Sequence, residues 1–266
     1  MALTTVAVYS EKGGVGKTAL ASGLVAAAAA RGMRVLAVDL DPRHTLTDEL
    51  GVDSPAYSVN DLLFIDPNDP DPADAAELVQ DALSPAGEAW PDLVRVLAAE
   101  RALSHREVDA TIGLEHRLAR AVRGVIDVDL VVIDVPPRAG GRLAGAALVT
   151  ANVVVIPATL TLDGYIGAGE AMTTVRHIQR GPNPDLQVAG IVRSITPRPV
   201  RQIHQELDRQ LAETYPDLLL DARIPHYAVR EEARTASVPI TSAPGREART
   251  LASAYGSVLD IVIKGD

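Results

Sequence analysis

The chain contains no cysteine, which excludes disulfides, thiolate zinc sites, iron–sulfur clusters and cysteine nucleophiles together. A cytoplasmic protein is the plain reading. Lysine is nearly absent too: Lys12, Lys17 and Lys264 are the whole complement, and the other 22 of 25 basic residues are arginine. Against 35 acidic residues they leave a net charge of −10, which argues against a protein coated in positive charge for nucleic acid and leaves room only for a local basic face. The six histidines (His44, His105, His116, His177, His204, His226) include no i, i+4 pair, so a transition-metal site has little support and they are expected at the surface. No apolar run is long enough to cross a bilayer. The run ALASGLVAAAAA, residues 19–30, has 12 residues where a membrane helix needs roughly 20. With Lys12 and Lys17 upstream it imitates a signal peptide, yet it follows an apolar strand and a glycine turn, and alanine is the strongest helix former. It reads as a buried helix packed closely on a sheet.

What is present suits one large domain. The 266 residues are 47% hydrophobic and 23% charged, enough for a full core and incompatible with disorder as the main state. Apolar, β-branched runs at 4–9, 34–40, 93–99, 128–135, 152–158 and 186–195, with a short one at 221–225, predict strands. Helical patterns fall between them, at 17–31, 113–124, 142–150, 163–180, 199–214 and 246–262. Several strands are apolar on both faces, which in a βα alternation implies an α/β fold, a doubly wound and mostly parallel sheet covered by helices on both faces. Residues 66–92 break the rhythm with Asp-Pro steps at Asp66, Asp69 and Asp71, then a short helix-like piece, then Pro85, Gly87 and Pro91, and are expected to form an acidic, solvated surface insertion. No repeat or long linker divides residues 1–266, so a single domain is expected.

Between the first strand and the first helix stands Glu11-Lys12-Gly13-Gly14-Val15-Gly16-Lys17-Thr18. A nucleoside triphosphate needs backbone N–H groups turned inward around its phosphates, and side chains would obstruct them, hence the three glycines. Lys17 is placed to neutralise the β and γ phosphates and the Thr18 hydroxyl to hold Mg²⁺. The common pattern G-x-x-x-x-G-K-[ST] fails, because Glu11 occupies its first position. What stands instead, KGGVGKT, resembles the deviant Walker A P-loop ATPases and, within that ParA/MinD superfamily, the ParA partition family. The resemblance implies ATP and Mg²⁺ as cofactors, with Lys12, Gly13, Gly14, Val15, Gly16, Lys17, Thr18 and Ala19 around the nucleotide. It also implies a homodimer closed around ATP, in which Lys17 acts in cis and Lys12 reaches the partner's phosphates in trans.

Strand two ends in Val38-Asp39-Leu40-Asp41-Pro42, which resembles the family's V-D-x-D-P segment. Alternation puts Asp39 and Asp41 on one side at the carboxyl edge of the sheet, where ligands bind in such folds. The resemblance assigns Asp41 to positioning the attacking water and counts both Asp41 and, behind it, Asp39 among the residues supporting Mg²⁺; a pair of caps for the next helix is the structural alternative. VVIDVPP places Asp134 at the end of another apolar strand, the Walker B arrangement that holds Mg²⁺ through water. Thr18 followed by Ala19 departs from the family's threonine run, and Arg43-His44 stands where many relatives have glutamine, which puts hydrolysis rate and control in question.

The resemblance extends from about residue 3 to 262, through Ile224-Pro225, Val229-Arg230, Ala233 and Pro239-Ile240. Residues 176–250 hold 11 arginines against 9 acids, a modest local excess. The resemblance implies sequence-independent DNA binding by the dimer, with Arg198, Arg201 and Arg230 as backbone contacts. It further implies a ParB-like centromere-binding partner, a role in DNA segregation and nucleoid association when ATP is bound. The tail from Arg246 lacks the basic amphipathic face of a membrane anchor and is expected to pack on the domain, so no membrane partner is expected. Two alternatives stay open on the same catalytic residues: an ATPase that positions a protein cargo, and a biosynthetic ATP-dependent ligase or synthetase.

Overall fold

Short valine-rich runs form the strands β1 (Thr4–Val8), β2 (Val35–Asp39), β3 (Leu83–Pro85), β4 (Val94–Leu97), β5 (Leu130–Asp134), β6 (Val153–Ala158), β7 (Gln187–Thr196) and β8 (Leu219–Pro225). The helices are α1 (Lys17–Ala29), α2 (Thr45–Glu49), α3 (Val59–Leu63), α4 (Ala75–Ala82), α5 (Leu114–Gly124), α6 (Arg142–Thr150), α7 (Leu162–Arg180), α8 (Gln202–Thr214), α9 (Ala228–Thr235) and α10 (Arg246–Val262), with a 3-10 turn at Arg101–Glu107. These elements come from a computed structural model that describes residues 3–66, 68–69, 71–137 and 140–264. The eight strands join one sheet in the order β3-β4-β2-β5-β1-β6-β7-β8, parallel throughout except for β3, which pairs antiparallel with β4. The expected doubly wound α/β architecture is the one observed.

β1, β2, β5 and β6 are buried at every residue. Alternate side chains feed two separate cores, with Ala7, Leu36, Val38, Val131 and Ile133 on one face and Val6, Val8, Val35, Ala37 and Val132 on the other. Both faces being covered is why these strands read as continuous apolar runs. α1 lies on the second face with 11 of its 13 residues buried, since it is sandwiched between the sheet and α10. Gly23 makes this approach feasible: a Cβ there would sit 2.4 Å from the ring of Tyr255 on α10. The run at 19–30 is thus a buried helix, and α10 packs on the fold through Leu251, Tyr255, Val258, Leu259 and Val262. Among the described residues no helix is long and apolar enough to cross a membrane, and none of the six histidines is buried.

The insertion at 66–92 differs from expectation. Pro67 and Pro70 lie outside the described residues, but from Asp74 onward the segment is part of the fold: Asp74 caps α4, β3 joins the sheet, and Ala75, Val79, Ala82 and Trp90 are buried. The apolar positions 75, 79 and 82 follow helical i, i+4, i+7 spacing, and the short helix-like piece the sequence offers there is α4, packed on the fold rather than solvated. The short helices α2, α3 and α9 were also unexpected, each being too brief for periodicity to reveal.

The sheet register sets up the site. Val8, Asp134 and Asp39 are neighbours across β1, β5 and β2, at the carboxyl ends of all three strands. One edge therefore collects two aspartates and the start of the glycine loop.

Candidate nucleotide-binding site

The loop from Ser10 to Gly16 leaves β1 and turns directly into α1. Gly14 and Gly16 adopt φ of +75° and +82°, which side-chain-bearing residues rarely adopt, and a Cβ on Gly13 or Gly14 would meet nothing within 4 Å. The backbone there is open on its concave side, and the free N–H groups of the first turn of α1 at Lys17, Thr18 and Ala19 point outward from a helix N-terminus. Val15 is buried, and its carbonyl accepts a 2.6 Å hydrogen bond from Ser194 of β7. Ile195 packs over Gly16 and holds φ +47°, a conformation that costs a β-branched residue about 1–3 kcal/mol. Glu11, in the position where the common loop has glycine, accepts from Tyr9 at 2.9 Å and from Thr174 of α7 at 2.5 Å. The loop is thus braced from β7 and α7.

A cavity of about 310 Å³ opens above this loop, lined in part by Gly14, Gly16, Lys17, Thr18, Ala19 and Asp41. Lys17 is 7% exposed and donates to the Lys12 carbonyl at 3.0 Å. Burial lowers its pKa to about 8, against the opposing pull of Asp134 and Asp41. Lys12 behaves differently. Its stem lies along Gly167 of α7, where a Cβ would be 2.4 Å from Lys12 Cγ, and its ammonium pairs with Glu170 at 3.4 Å, about a third exposed. The two lysines share a loop and serve different directions.

Thr18 Oγ1 donates to Asp134 Oδ2 at 2.7 Å, while Asp134 Oδ1 is buried with no hydrogen-bond partner. Burial, then the charge of Asp39, raises the Asp134 pKa well above the usual carboxylate range. An orphaned carboxylate oxygen beside a hydroxyl suits the hydration shell of a small hard cation, and Mg²⁺ in such sites takes few protein ligands beside phosphate and water. That fits the finding that, among the described residues, no three His, Asp or Glu form a metal cage. Asp39 does not join such a shell as expected from sequence. It is fully buried, its Oδ1 accepts from Asp41 N at 3.0 Å, and its Oδ2 accepts from Thr47 N and Oγ1 at 2.9 Å. Burial lifts its pKa to about 6, opposed by these bonds. It frames the turn that carries Asp41. Asp41 lines the cavity and is gripped by Arg43, whose backbone N–H and guanidinium donate to its two oxygens at 3.0 Å.

With the cradle, the lysine and the carboxylates in place, sequence relationships decide the family. A family model described as an AAA domain (AAA_31) matches residues 3–188. The chain belongs to the ParA/MinD family of ATPases. Among its family relatives, the sporulation initiation inhibitor protein Soj of Bacillus subtilis is 33% identical over 190 residues, 70% of each chain. The chromosome partitioning protein ParA of Myxococcus xanthus is 30% identical over 208 residues, 76% of this chain and 69% of that one. A cobyrinic acid a,c-diamide synthase from Mycobacterium smegmatis, solved with a bound ATP analogue and magnesium, superposes with a TM-score of 0.73 at 28% identity, covering 88% of this chain and 93% of that chain.

The arginines expected on DNA divide within this ParA/MinD fold. Arg198 and Arg201 are exposed after β7, with Arg198 stacked 5.1 Å from the centroid of the Tyr227 ring. Arg230 is not on that surface. It turns into the nucleotide cavity, its side chain 14% exposed, and donates to Glu49 at 2.7 and 2.9 Å and to Ser22 of α1 at 3.0 Å. The expectation for Arg230 is corrected accordingly, because a guanidinium committed to a buried carboxylate is unavailable to a phosphate backbone. Glu49, Ser22, Thr47, Ser194 and Glu170 were not foreseen. None carries a motif, and all but Thr47, which lies eight residues from Asp39, act through a partner distant in sequence.

Proposed function

We propose that this chain is a Mg²⁺-dependent ATPase that dimerises around ATP, binds DNA without sequence preference as that dimer, and drives DNA segregation with a ParB-like partner. The observation that carries the reading is the divergence of the two loop lysines. Lys17 sits inside the cradle and supplies the cis charge, whereas Lys12 is partly exposed and held by a weak pair with Glu170. An ammonium so placed is available to a second subunit's phosphates, where one more cation offsets charge that builds at the transferring group.

In this reading Mg²⁺, when bound, neutralises charge shared between the β and γ phosphates. Thr18 and Asp134 would hold its shell, and the first-turn N–H groups of α1 would orient the phosphates. Asp41 orients the attacking water from the turn after β2, which Asp39 and Thr47 hold. Arg198 and Arg201, beside the exposed Arg246, which lines the same cavity as Arg198, give DNA phosphates a sequence-independent surface. The resemblance to Soj and to ParA of Myxococcus supports segregation as the process served and nucleoid association as its consequence.

The likeness to a cobyrinic acid a,c-diamide synthase favours a second reading, an ATP-dependent synthetase. Turnover separates the two. ATP hydrolysis stimulated by DNA together with the product of a neighbouring gene supports segregation, and stimulation by a small carboxylate instead supports the synthetase. Sizing chromatography with ATP tests the lysines: Lys17→Ala loses nucleotide, Lys12→Ala binds nucleotide and stays monomeric, and Asp41→Ala accumulates the ATP dimer. A Lys12→Ala variant that dimerises like the parent overturns the trans role.

A further inference from the structure

Three arginine–carboxylate pairs line the nucleotide cavity beside Lys17: Arg43 with Asp41, Arg234 with Glu231, and Arg230 with Glu49. They differ in burial. The side chains of Arg43 and Arg234 are 71% and 45% exposed, whereas those of Arg230 and Glu49 are 14% and 3% exposed. An exposed pair contributes little to a fold and opens readily. A buried one is a different object, because two charges taken out of water stabilise a fold no better than apolar side chains of the same size. Packing alone therefore gives no reason to keep Arg230 and Glu49 charged at this place.

The contacts leave much of the guanidinium unspent. Nη2 meets both oxygens of Glu49, at 2.7 and 2.9 Å, and donates to Ser22 Oγ at 3.0 Å, while Ser22 in turn donates to Glu49. Nη1 takes part in none of these bonds, and Nε is buried with no hydrogen-bond partner. The buried Tyr255 hydroxyl neighbours the guanidinium as well. Ser22 lies four residues beyond Thr18 and three beyond Ala19, so it shares a side of α1 with both. Arg230 thus stands one turn from the open N–H groups of the helix start. Ala19 lines that wall with a methyl group and no donor, and the four cations of the cavity outnumber its carboxylates by only one. A nucleoside triphosphate brings several negative charges to this wall, and Arg230 is the one arginine there already desolvated and held in place.

We propose that Arg230 is a further phosphate-binding residue of the nucleotide site, its Nη2 anchored on Glu49 and Ser22 and its Nη1 donating to a phosphate oxygen on the Ala19 side of α1. Burial withdraws Arg230 from the protein surface and leaves it facing the cavity. Glu49 and Ser22 fix the fork in advance, so that little side-chain freedom is lost when a phosphate arrives. The inference rests on nucleotide binding in this cavity and on neither dimerisation, DNA nor hydrolysis.

The test is titration of the full chain with a fluorescent ATP analogue and Mg²⁺. Arg230→Gln alone would strand Glu49 as a buried unpaired charge, so it is made in the Glu49→Gln background. The paired variant keeps the net charge of the parent and strands no carboxylate. It is expected to bind the analogue about tenfold more weakly than Glu49→Gln does. If Arg230 serves only to neutralise Glu49, the paired variant binds like Glu49→Gln, and that result overturns the proposal. Inorganic pyrophosphate, used as a competitor, should lose affinity by the same factor. A loss seen with the nucleotide and not with pyrophosphate would move Arg230 to the sugar or the base and overturn the phosphate contact. Glu49→Leu with Arg230→Met, an apolar pair expected to fold, should show the same loss against the parent; urea midpoints verify folding in each case. A parent that binds no analogue refutes the nucleotide site itself, whereas a parent that binds beside an unaffected paired variant refutes Arg230 alone.

Discussion

Arg43 grips Asp41 at both ends of its carboxylate: the backbone N–H reaches Oδ1 and Nη2 reaches Oδ2, each at 3.0 Å. The arginine is 71% exposed while the aspartate is 7% exposed, so the clamp closes from solvent onto a buried group. A carboxylate paired with a guanidinium has fewer free lone pairs to orient a water. Where the aspartate is needed for hydrolysis, the arginine holds the basal rate down. Arg43→Gln, which removes the charge and keeps hydrogen-bonding capacity, is expected to raise basal ATP turnover several-fold with little change in KM. Steady-state kinetics check this; a fall in kcat would instead place Arg43 on the phosphates.

In the proposed dimer, Lys12 leaves Glu170 to serve the second subunit. Both groups are over a third exposed, so the pair is worth at most about 1 kcal/mol. Glu170→Gln is expected to strengthen ATP-dependent dimerisation by up to about fivefold, leaving monomer stability unchanged. Analytical ultracentrifugation with a non-hydrolysable ATP analogue measures the shift.

Nucleotide affinity carries a pH signature from Lys17. Burial brings its pKa down to about 8, so the free protein holds a full ammonium below that value and loses it as pH rises through it. Phosphate oxygens favour the ammonium, so binding above pH 8 takes up a proton. Affinity is expected to hold at lower pH and to weaken by up to about tenfold per pH unit above about pH 8. Calorimetry in buffers of different ionisation enthalpy reads the proton uptake directly.

Gly23 and Tyr255 join α1 to α10 by close approach. Gly23→Ala would put a methyl group 2.4 Å from the tyrosine ring in a fully buried contact. The substitution is expected to destabilise the fold by roughly 1–3 kcal/mol despite alanine's better helix propensity. Urea denaturation, compared with Gly32→Ala at an open turn where φ is +77°, separates packing from backbone strain.

The parallel sheet, the places of its main strands along the chain and the phosphate cradle were legible from the chain alone, because each is written locally. Apolar runs buried on both faces announce a covered parallel sheet, and three glycines ahead of Lys17 announce an N–H-lined turn. Asp39, Asp41 and Asp134 were legible for the same reason, as carboxylates at the ends of apolar strands. Their roles were less so. Asp39 is spent on Thr47 and the Asp41 backbone, a division of labour that strand pattern does not carry.

What only the tertiary structure decided is where the charged side chains point. Arg230 looked like one more arginine in a basic third of the chain, yet it turns inward to Glu49, 181 positions away, and to Ser22 on α1. Lys12 finds Glu170 and Gly167 on α7. Periodicity reports the environment of a residue's own segment. Long arginine and lysine side chains choose partners by distance in space and by the cost of burying a charge unpaired, and both are set only once the layers have packed.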